Sequence, residues 1–349
     1  MKTRKSREGK TAVTQRVTAS VPTGVVGLGL MGTSIATCLL AAGHPVTGID
    51  LDARKRRSVT GRIRALLEEM LREKLLRERP IAALRRFTVA DDYAALRDAQ
   101  VVIEAITENV EAKKRVIASV EGVVSPAAII GSNTSAIPIS LLQKDAAHPE
   151  RVLGTHWAEP AHVTRFMEII CGEQTDPLNA ERVRELSRFW AKEASIVRRD
   201  IRGFITNRCM YALLREAFFL VESGYATIED VDRSLRNDFG YWITFAGPFR
   251  YMDLTGIPAY ETVMRDLLPD LCRSTEVPRL ISDVVKSGAQ GVANARGFYK
   301  YTSASARRWE KRFLEFTYDI RALALKYPGD SGERAGARPC ARKRVGRWS

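Results

Sequence analysis

Two sets of residues in this 349-residue chain are able to do chemistry. The first is built around a histidine. Of only four histidines, His44 and His148 each precede a proline in turn-like sequence and read as structural. His156 ends an apolar, strand-like run, Val152-Leu153-Gly154-Thr155-His156, and Glu168 interrupts the next one, Phe166-Met167-Glu168-Ile169-Ile170. A carboxylate in so apolar a run needs a partner, because burying it alone is costly. His156 on the neighbouring strand is one candidate, and an arginine is the other. Paired with Glu168, the imidazole of His156 would be held as a general acid–base, the group that hydride transfer at an alcohol carbon requires for the hydroxyl proton. The second set is Gly27-Leu28-Gly29-Leu30-Met31-Gly32, a G-x-G-x-x-G run. Its first glycine permits a tight turn and its second lets a pyrophosphate reach the backbone. Its third lets a helix pack close, with the helix amides facing the phosphates. Asp50 follows Gly32 by 18 residues, where an acid binds both hydroxyls of a ribose and repels a 2′-phosphate, favouring NAD over NADP. The basic run Arg54-Lys55-Arg56-Arg57 softens that preference.

The elements needed to place these groups are visible in the pattern. Residues 24–26 form a strand, residues 33–42 an Ala- and Leu-rich helix ended by Gly43, and residues 45–50 a second strand, which together make a βαβ unit. Residues 54–79 read as one long charged helix with Ile63, Leu66, Leu67, Met70, Leu71 and Leu75 at helical spacing. Short buried strands are predicted at 87–89, 101–105, 127–132, 152–156 and 166–170, with helices at 93–99 and 110–120. After Gly203 helices dominate, and residues 204–221 carry the strongest amphipathic pattern. The expected organisation is a basic tail at 1–20, an α/β Rossmann-type doubly wound domain at 21–200, an all-α domain at 201–325, and a second basic tail at 326–349.

Composition narrows the class. The net charge of +14 suggests a polyanion-binding protein until it is located. Residues 1–20 and 331–349 each hold six basic residues against one acidic residue, so the remainder carries only +4. The tails lack apolar periodicity and read as solvated, disordered ends. No run approaches the length of a transmembrane span, and the first twenty residues lack the apolar core of a secretory signal. Five scattered cysteines argue against a disulfide framework or zinc site and for a reducing, cytoplasmic setting.

Taken in order, these motifs resemble the 3-hydroxyacyl-CoA dehydrogenase family from about Gly24 to Tyr301. The match comprises the glycine turn with Asp50, Glu104-Ala105-Ile106-Thr107-Glu108-Asn109, Ser132-Asn133-Thr134-Ser135, and the His156 and Glu168 strands. It continues through Gly203-Phe204-Ile205-Thr206-Asn207-Arg208, Gly247-Pro248-Phe249 and Gly297-Phe298-Tyr299. The resemblance implies an NAD-binding domain followed by a helical dimerisation domain, a homodimer, and a role in fatty acid metabolism. It also implies NAD-dependent oxidation of a 3-hydroxy group, with (S)-3-hydroxyacyl-CoA as substrate. His156 would be the acid–base and Glu168 its orienting carboxylate. Ser135 and Asn207 would hold the substrate oxygen, Asn207 from across an interdomain cleft. Gly27, Gly29, Leu30, Met31, Gly32 and Asp50 would contact NAD, and Glu108 and Lys113 would lie by its nicotinamide ribose. Without the resemblance, Ser132 to Ser135 reads as a strand end and turn, and Lys113 as a solvated lysine.

The pattern also departs from the family. Trp157-Ala158-Glu159-Pro160 stands where Phe-Phe-Asn-Pro usually follows the histidine, placing an acid, Glu159, beside the site and opening space at Ala158. Ala161-His162-Val163-Thr164-Arg165 adds a further histidine and arginine nearby. The departure bears on the acyl-CoA more than on the reaction, and superfamily members of similar architecture oxidise L-carnitine or L-gulonate. The lysine-dependent 3-hydroxyisobutyrate and 6-phosphogluconate dehydrogenases share the Gly-Leu-Gly-x-Met-Gly phrase. They are set aside because no G-x-x-x-K-x-x-N segment stands at the second-domain entry. A non-catalytic protein using its basic tails on nucleic acid is the rival of another class, and the intact Ser135, His156, Glu168 and Asn207 set argues against it.

Overall fold

The computed structural model describes residues 20–327, so the two basic tails, apart from Ser20, Lys326 and Tyr327, lie outside the described residues. Two compact units follow one another, the first running through Leu213 and the second starting at Leu214.

The first unit is an eight-stranded sheet in the order β3-β2-β1-β4-β5-β6-β7-β8. Its strands are β1 (Thr23–Val26), β2 (Val46–Ile49), β3 (Phe87–Ala90), β4 (Val101–Glu104), β5 (Ile129–Ser132), β6 (Val152–Trp157), β7 (Phe166–Cys171) and β8 (Glu193–Val197). All pairs are parallel except β6 with β7, whose antiparallel register sets His156 directly opposite Glu168. Strand order reverses at β1 and β4, and open α/β sheets bind ligands in the crevice outside the strand C-termini at such a point. The covering helices are α1 (Leu30–Ala41), α2 (Ala53–Arg72), α3 (Pro80–Leu84), α4 (Val110–Glu121), α5 (Ile139–Gln143), α6 (Pro177–Phe189) and the first turns of α7 (Thr206–Glu222). Two apolar clusters fill the space on the sheet, one including Val25, Ile35, Leu39, Ile63 and Leu67, the other Val102, Ile117, Ile130, Ile139 and Ile170.

Several sequence expectations change in detail. The single helix expected over 54–79 is broken after Arg72. Lys74 takes a left-handed backbone with φ 59°, the Leu75 and Leu76 amides turn back to the Met70 carbonyl, and Pro80 opens α3. Burial of Leu76 explains why the chain turns there, because a continued helix has no need to bring that side chain to the core. The helix expected at 93–99 is a single 3₁₀ turn, Tyr93–Leu96, capped by Asp92. Strand β8 and helix α6, which buries Ala180, Val183 and Leu186 on one face, add to the elements expected from the sequence. β8 lies at the sheet edge, where only Val197 of its five residues is buried.

The second unit is helical, with the rest of α7 followed by α8 (Ile228–Asn237), α9 (Phe239–Ile243), α10 (Gly247–Thr255), α11 (Ile257–Leu267), α12 (Arg279–Lys286) and α13 (Ser303–Lys326). Among its described residues only Val231 and Ala306 are buried hydrophobics, while Tyr241, Phe245, Phe249, Ile257, Val263 and Phe313 are all exposed.

The glycine turn after β1 shows why three glycines are spaced as they are. Gly27 has φ +93°, and a Cβ there would lie 2.7 Å from the Ala105 carbonyl oxygen. A Cβ on Gly32 would lie 1.7 Å from the Gly27 carbonyl oxygen, so the helix packs against the turn only because Gly32 has no side chain. Around Gly29 a Cβ would meet nothing within 4 Å. Protein contacts therefore require glycine at 27 and 32, whereas at 29 they do not. Gly32→Ala is expected to lower the melting temperature clearly and Gly29→Ala to leave it near wild type, as read by thermal denaturation monitored by circular dichroism.

Candidate active site

The G-x-G-x-x-G turn opens onto a cavity of about 660 Å³ at the strand C-termini, lined by Gly27, Gly29, Met31, Asp50, Tyr93 and Ile106 among others. Asp50 stands at the end of β2, held by two backbone amides: Leu28 N donates to Oδ2 at 2.8 Å and Asp52 N to Oδ1 at 2.9 Å. Lys55 Nζ lies 3.6 Å from the same carboxylate. Two of the neighbouring arginines are engaged close by, Arg54 with Asp52 and Arg56 with the Asp50 and Leu51 carbonyls and with Asp91. The space left beside Gly29, the α1 N-terminus and the fixed acid on β2 together fit a dinucleotide. Leu30 is exposed at this end of α1 and Met31 is half-buried.

The second constellation lies on β6 and β7. His156 Nδ1 and Glu168 Oε2 are 2.9 Å apart, so the carboxylate's partner is the histidine and not an arginine. Glu168 is buried, and its other oxygen, Oε1, accepts from Thr206 N at 2.9 Å and Ile205 N at 3.2 Å at the start of α7. Burial alone would raise the Glu168 pKa, but the bond to His156 and the two amides outweigh it and hold the carboxyl below its ordinary value. The rings of Phe166 and Phe204 flank the imidazole at centroid distances of 5.3 and 5.7 Å. Phe204 reaches this position from a left-handed backbone with φ 52°, directly after Gly203 at φ 81°.

Asn207 and Ser135 meet beside this pair. Asn207 Nδ2 donates to the Ser135 carbonyl oxygen at 2.8 Å, and both residues belong to the first unit. Trp157 N donates to Asn133 Oδ1 at 3.0 Å, which ties the Ser-Asn-Thr-Ser turn to the histidine strand. Glu108 is also placed against this turn: its Oε1 accepts from Thr134 Oγ1 at 2.5 Å, Ser135 N at 3.0 Å and Ala136 N at 3.2 Å.

Lys113 is not a solvated lysine. Its side chain is fully buried, 2.8 Å from Glu104 Oε1 and 3.0 Å from Oε2, with Glu108 Oε2 at 3.5 Å. Glu104 is buried as well and accepts from Ser132 Oγ at 2.5 Å and Ile106 N at 2.7 Å. Nothing in the spacing of Glu104 and Lys113 announced this pair. The one available signal was a glutamate closing an otherwise apolar strand, as with Glu168.

The segment after His156 sorts its departures from the family pattern. Trp157 belongs to the core, 2% exposed and stacked on Trp190 at 5.5 Å, with Lys192 Nζ 5.0 Å from its ring centroid. His162 turns inward to Ser34 Oγ at 2.9 Å and Glu69 at 3.4 Å, and burial holds its pKa low. Arg165 pairs with Glu193 at 2.6 Å. His44 is a core histidine that accepts from Trp190 Nε1 at 2.9 Å. Glu159 remains exposed at the surface, and its carboxyl is raised above the ordinary range by desolvation.

Comparison with known proteins identifies the family of the two units. The family model described as 3-hydroxyacyl-CoA dehydrogenase, NAD binding domain, matches residues 22–201, and the C-terminal domain model of the same family matches 203–301. The chain belongs to the 3-hydroxyacyl-CoA dehydrogenase family, and its cofactor is NAD. It is 33% identical over 281 residues to a 5-formyl-3-hydroxy-2-methylpyridine 4-carboxylate 5-dehydrogenase of Mesorhizobium japonicum, covering 80% of this chain and 90% of that protein. It is 32% identical over 285 residues to a 3-hydroxybutyryl-CoA dehydrogenase of Mycobacterium tuberculosis, covering 80% and 97%. A solved structure of a 5-formyl-3-hydroxy-2-methylpyridine 4-carboxylic acid 5-dehydrogenase, an NAD⁺-dependent dismutase, superposes with a TM-score of 0.81 at 28% identity. That match covers 89% of this chain and 99% of the other.

Two measurements probe the site's electrostatics. Lys113→Met leaves Glu104 buried without its counter-ion and is expected to cost about 3–5 kcal/mol in urea denaturation. Adding Glu104→Leu to that variant should restore much of the loss. Because the folded Glu168 carboxyl has a lowered pKa, the stability it contributes is complete above its unfolded value and fades as pH falls through the lower, folded one. The stability gap between wild type and Glu168→Gln should therefore be widest near neutrality and shrink in the acid range below the ordinary carboxylate value.

Proposed function

We propose that this oxidoreductase exchanges a hydroxyl for a carbonyl on a 3-hydroxy substrate, with His156 as its acid–base and (S)-3-hydroxyacyl-CoA as its substrate. The observation that carries the chemistry is the His156–Glu168 pair, closed at 2.9 Å. With Nδ1 held by Glu168, His156 presents Nε2 to the substrate hydroxyl and takes its proton as the carbonyl forms. In reverse it returns that proton to the forming alkoxide. The Ser135 hydroxyl and the Asn207 side chain would hold the charged oxygen, a role supported by the bond from Asn207 Nδ2 to the Ser135 carbonyl. NAD, when bound, supplies the hydride acceptor, or as NADH the hydride donor. Gly27, Gly29, Leu30, Met31, Gly32 and Asp50 would hold the dinucleotide, with Glu108 and Lys113 toward the nicotinamide ribose.

A second substrate reading, a compact hydroxyl or aldehyde compound without CoA, is favoured by two observations. Trp157-Ala158-Glu159-Pro160 leaves an exposed acid three residues from His156. The pyridine-carboxylate dehydrogenase structure also matches over 89% of the chain. Non-CoA 3-hydroxy acids such as L-carnitine or L-gulonate belong to this reading. We further propose a homodimer joined through the helical unit. The small number of buried residues beyond Leu214 supports it, because such a unit gains its core by covering exposed apolar faces with a second copy. Cytoplasmic residence is proposed alongside it. The described cysteines, Cys38, Cys171, Cys209 and Cys272, are free thiols, and among the described residues no helix is long and apolar enough to cross a membrane.

NADH oxidation measured side by side with acetoacetyl-CoA, longer 3-ketoacyl-CoAs, 3-dehydrocarnitine and a formyl-pyridine carboxylate tests the substrate. Turnover with the thioesters supports the first reading, and turnover confined to the small acids or aldehyde replaces it with the second. On whichever substrate turns over, His156→Gln is expected to reduce kcat by roughly two or more orders of magnitude while NADH affinity stays near wild type. Unchanged turnover would sink the mechanism. Gly29→Ala should fold normally and bind NADH poorly, as read by NADH fluorescence titration.

A further inference from the structure

We infer that Glu108 is a positioning residue for the substrate-oxygen site, acting through Thr134 to fix the turn that carries Ser135. The inference rests on the dehydrogenase reading above and gives Glu108 a second task beside its place toward the ribose. Three donors converge on one of its oxygens, Oε1: the Thr134 hydroxyl, the Ser135 amide and the Ala136 amide. Thr134 is fully buried, and its Oγ1 also accepts from Ile137 N at 2.9 Å and Ala136 N at 3.3 Å. The four-residue turn is thus bound to a single carboxylate, directly and through one hydroxyl. Its far side is held by Asn207 Nδ2 on the Ser135 carbonyl.

Glu108 is itself anchored from the cofactor side. It follows β4 in the segment whose residues Ala105, Ile106 and Thr107 line the dinucleotide cavity. Its second oxygen, Oε2, faces Lys113 at 3.5 Å, and Lys113 is fixed in turn by the buried Glu104. The two bonded amides, the hydroxyl and the lysine all favour the ionised carboxylate, against a burial that opposes it. Glu108 therefore joins the wall of the cofactor cavity to the residue that meets the substrate oxygen. A shift of the 105–109 segment on cofactor binding would be passed to Ser135 through hydrogen bonds, with no larger movement required.

Thr134→Val and Thr134→Ser separate this role from a cofactor contact, because Thr134 does not line the dinucleotide cavity. Thr134→Val keeps the shape and removes the hydroxyl, whereas Thr134→Ser keeps the hydroxyl. We expect Thr134→Val to lower kcat by roughly ten- to a hundredfold, the scale of a small misplacement near reacting atoms, with NADH affinity near wild type. Thr134→Ser should recover most of the loss. Thr134→Ala, which also removes the hydroxyl, serves if Thr134→Val does not fold, and should show the same split of kcat from NADH affinity. Wild-type turnover in folded Thr134→Val or Thr134→Ala, or NADH affinity falling in step with kcat in either, overturns the inference. Amide hydrogen exchange of residues 134–137 reads the clamp without any substrate. Faster exchange in Thr134→Val supports it and unchanged exchange overturns it, even if the His156 variant were to refute the dehydrogenase reading.

Discussion

One carboxylate organises the reacting end of this molecule. Glu168 gives Oε2 to the imidazole of His156 and Oε1 to the first amides of α7. Its two oxygens therefore fix the orientation of the His156 ring and the place where the helix carrying Asn207 begins. The left-handed backbone at Gly203 and Phe204 brings those amides within reach and lays the Phe204 ring against the same histidine. A residue at 168 that accepted only one of these bonds would leave either a loose imidazole or an uncapped helix start. Burial of Glu168 is tolerated because every donor around it favours its charged form.

A second buried acid does corresponding work on the cofactor side. Glu104 ends β4 as Glu168 interrupts β7, and it spends both oxygens on Lys113, Ser132 and the Ile106 amide. The loop after β4 and the end of β5 are thereby fixed to the same point. Such an ion pair adds little net stability over an apolar core of the same shape, but removing either partner alone is expensive. Its value here is in holding neighbouring strand ends in register at the crevice.

What could be read from the sequence followed from how local the signal was. The βαβ unit and its glycine turn are specified by adjacent residues, so their places were readable directly. The Glu168–His156 pair was readable as one of two alternatives, because an acid in an apolar strand demands a partner and His156 ended the next strand along. The break after Arg72 was not readable: Leu71 and Leu75 keep the helical spacing across it, and the turn is set by where Leu76 is buried. Without the resemblance Lys113 reads as solvated for the same reason, since its helix α4 has an ordinary mixed face and only the tertiary position of Glu104 makes the lysine internal. His162 and Trp157 sat beside His156 in sequence, yet the strand and loop turn both into the core. Adjacency along the chain was a poor guide to adjacency in the crevice.

The reversal of strand direction between β6 and β7 has a consequence for how such an enzyme changes its preferences. His156 and Glu168 face each other because they are paired residues of one antiparallel ladder, their separation set by backbone hydrogen bonds. The connection between the two strands, which holds Glu159, takes no part in that pairing. Its exposed positions, such as Glu159, can be exchanged or recharged while the His156–Glu168 pair keeps its geometry, whereas Ala161, His162 and Val163 are buried. The pair is thus inherited with the sheet, while the exposed part of the loop beside it is free to drift in size and charge.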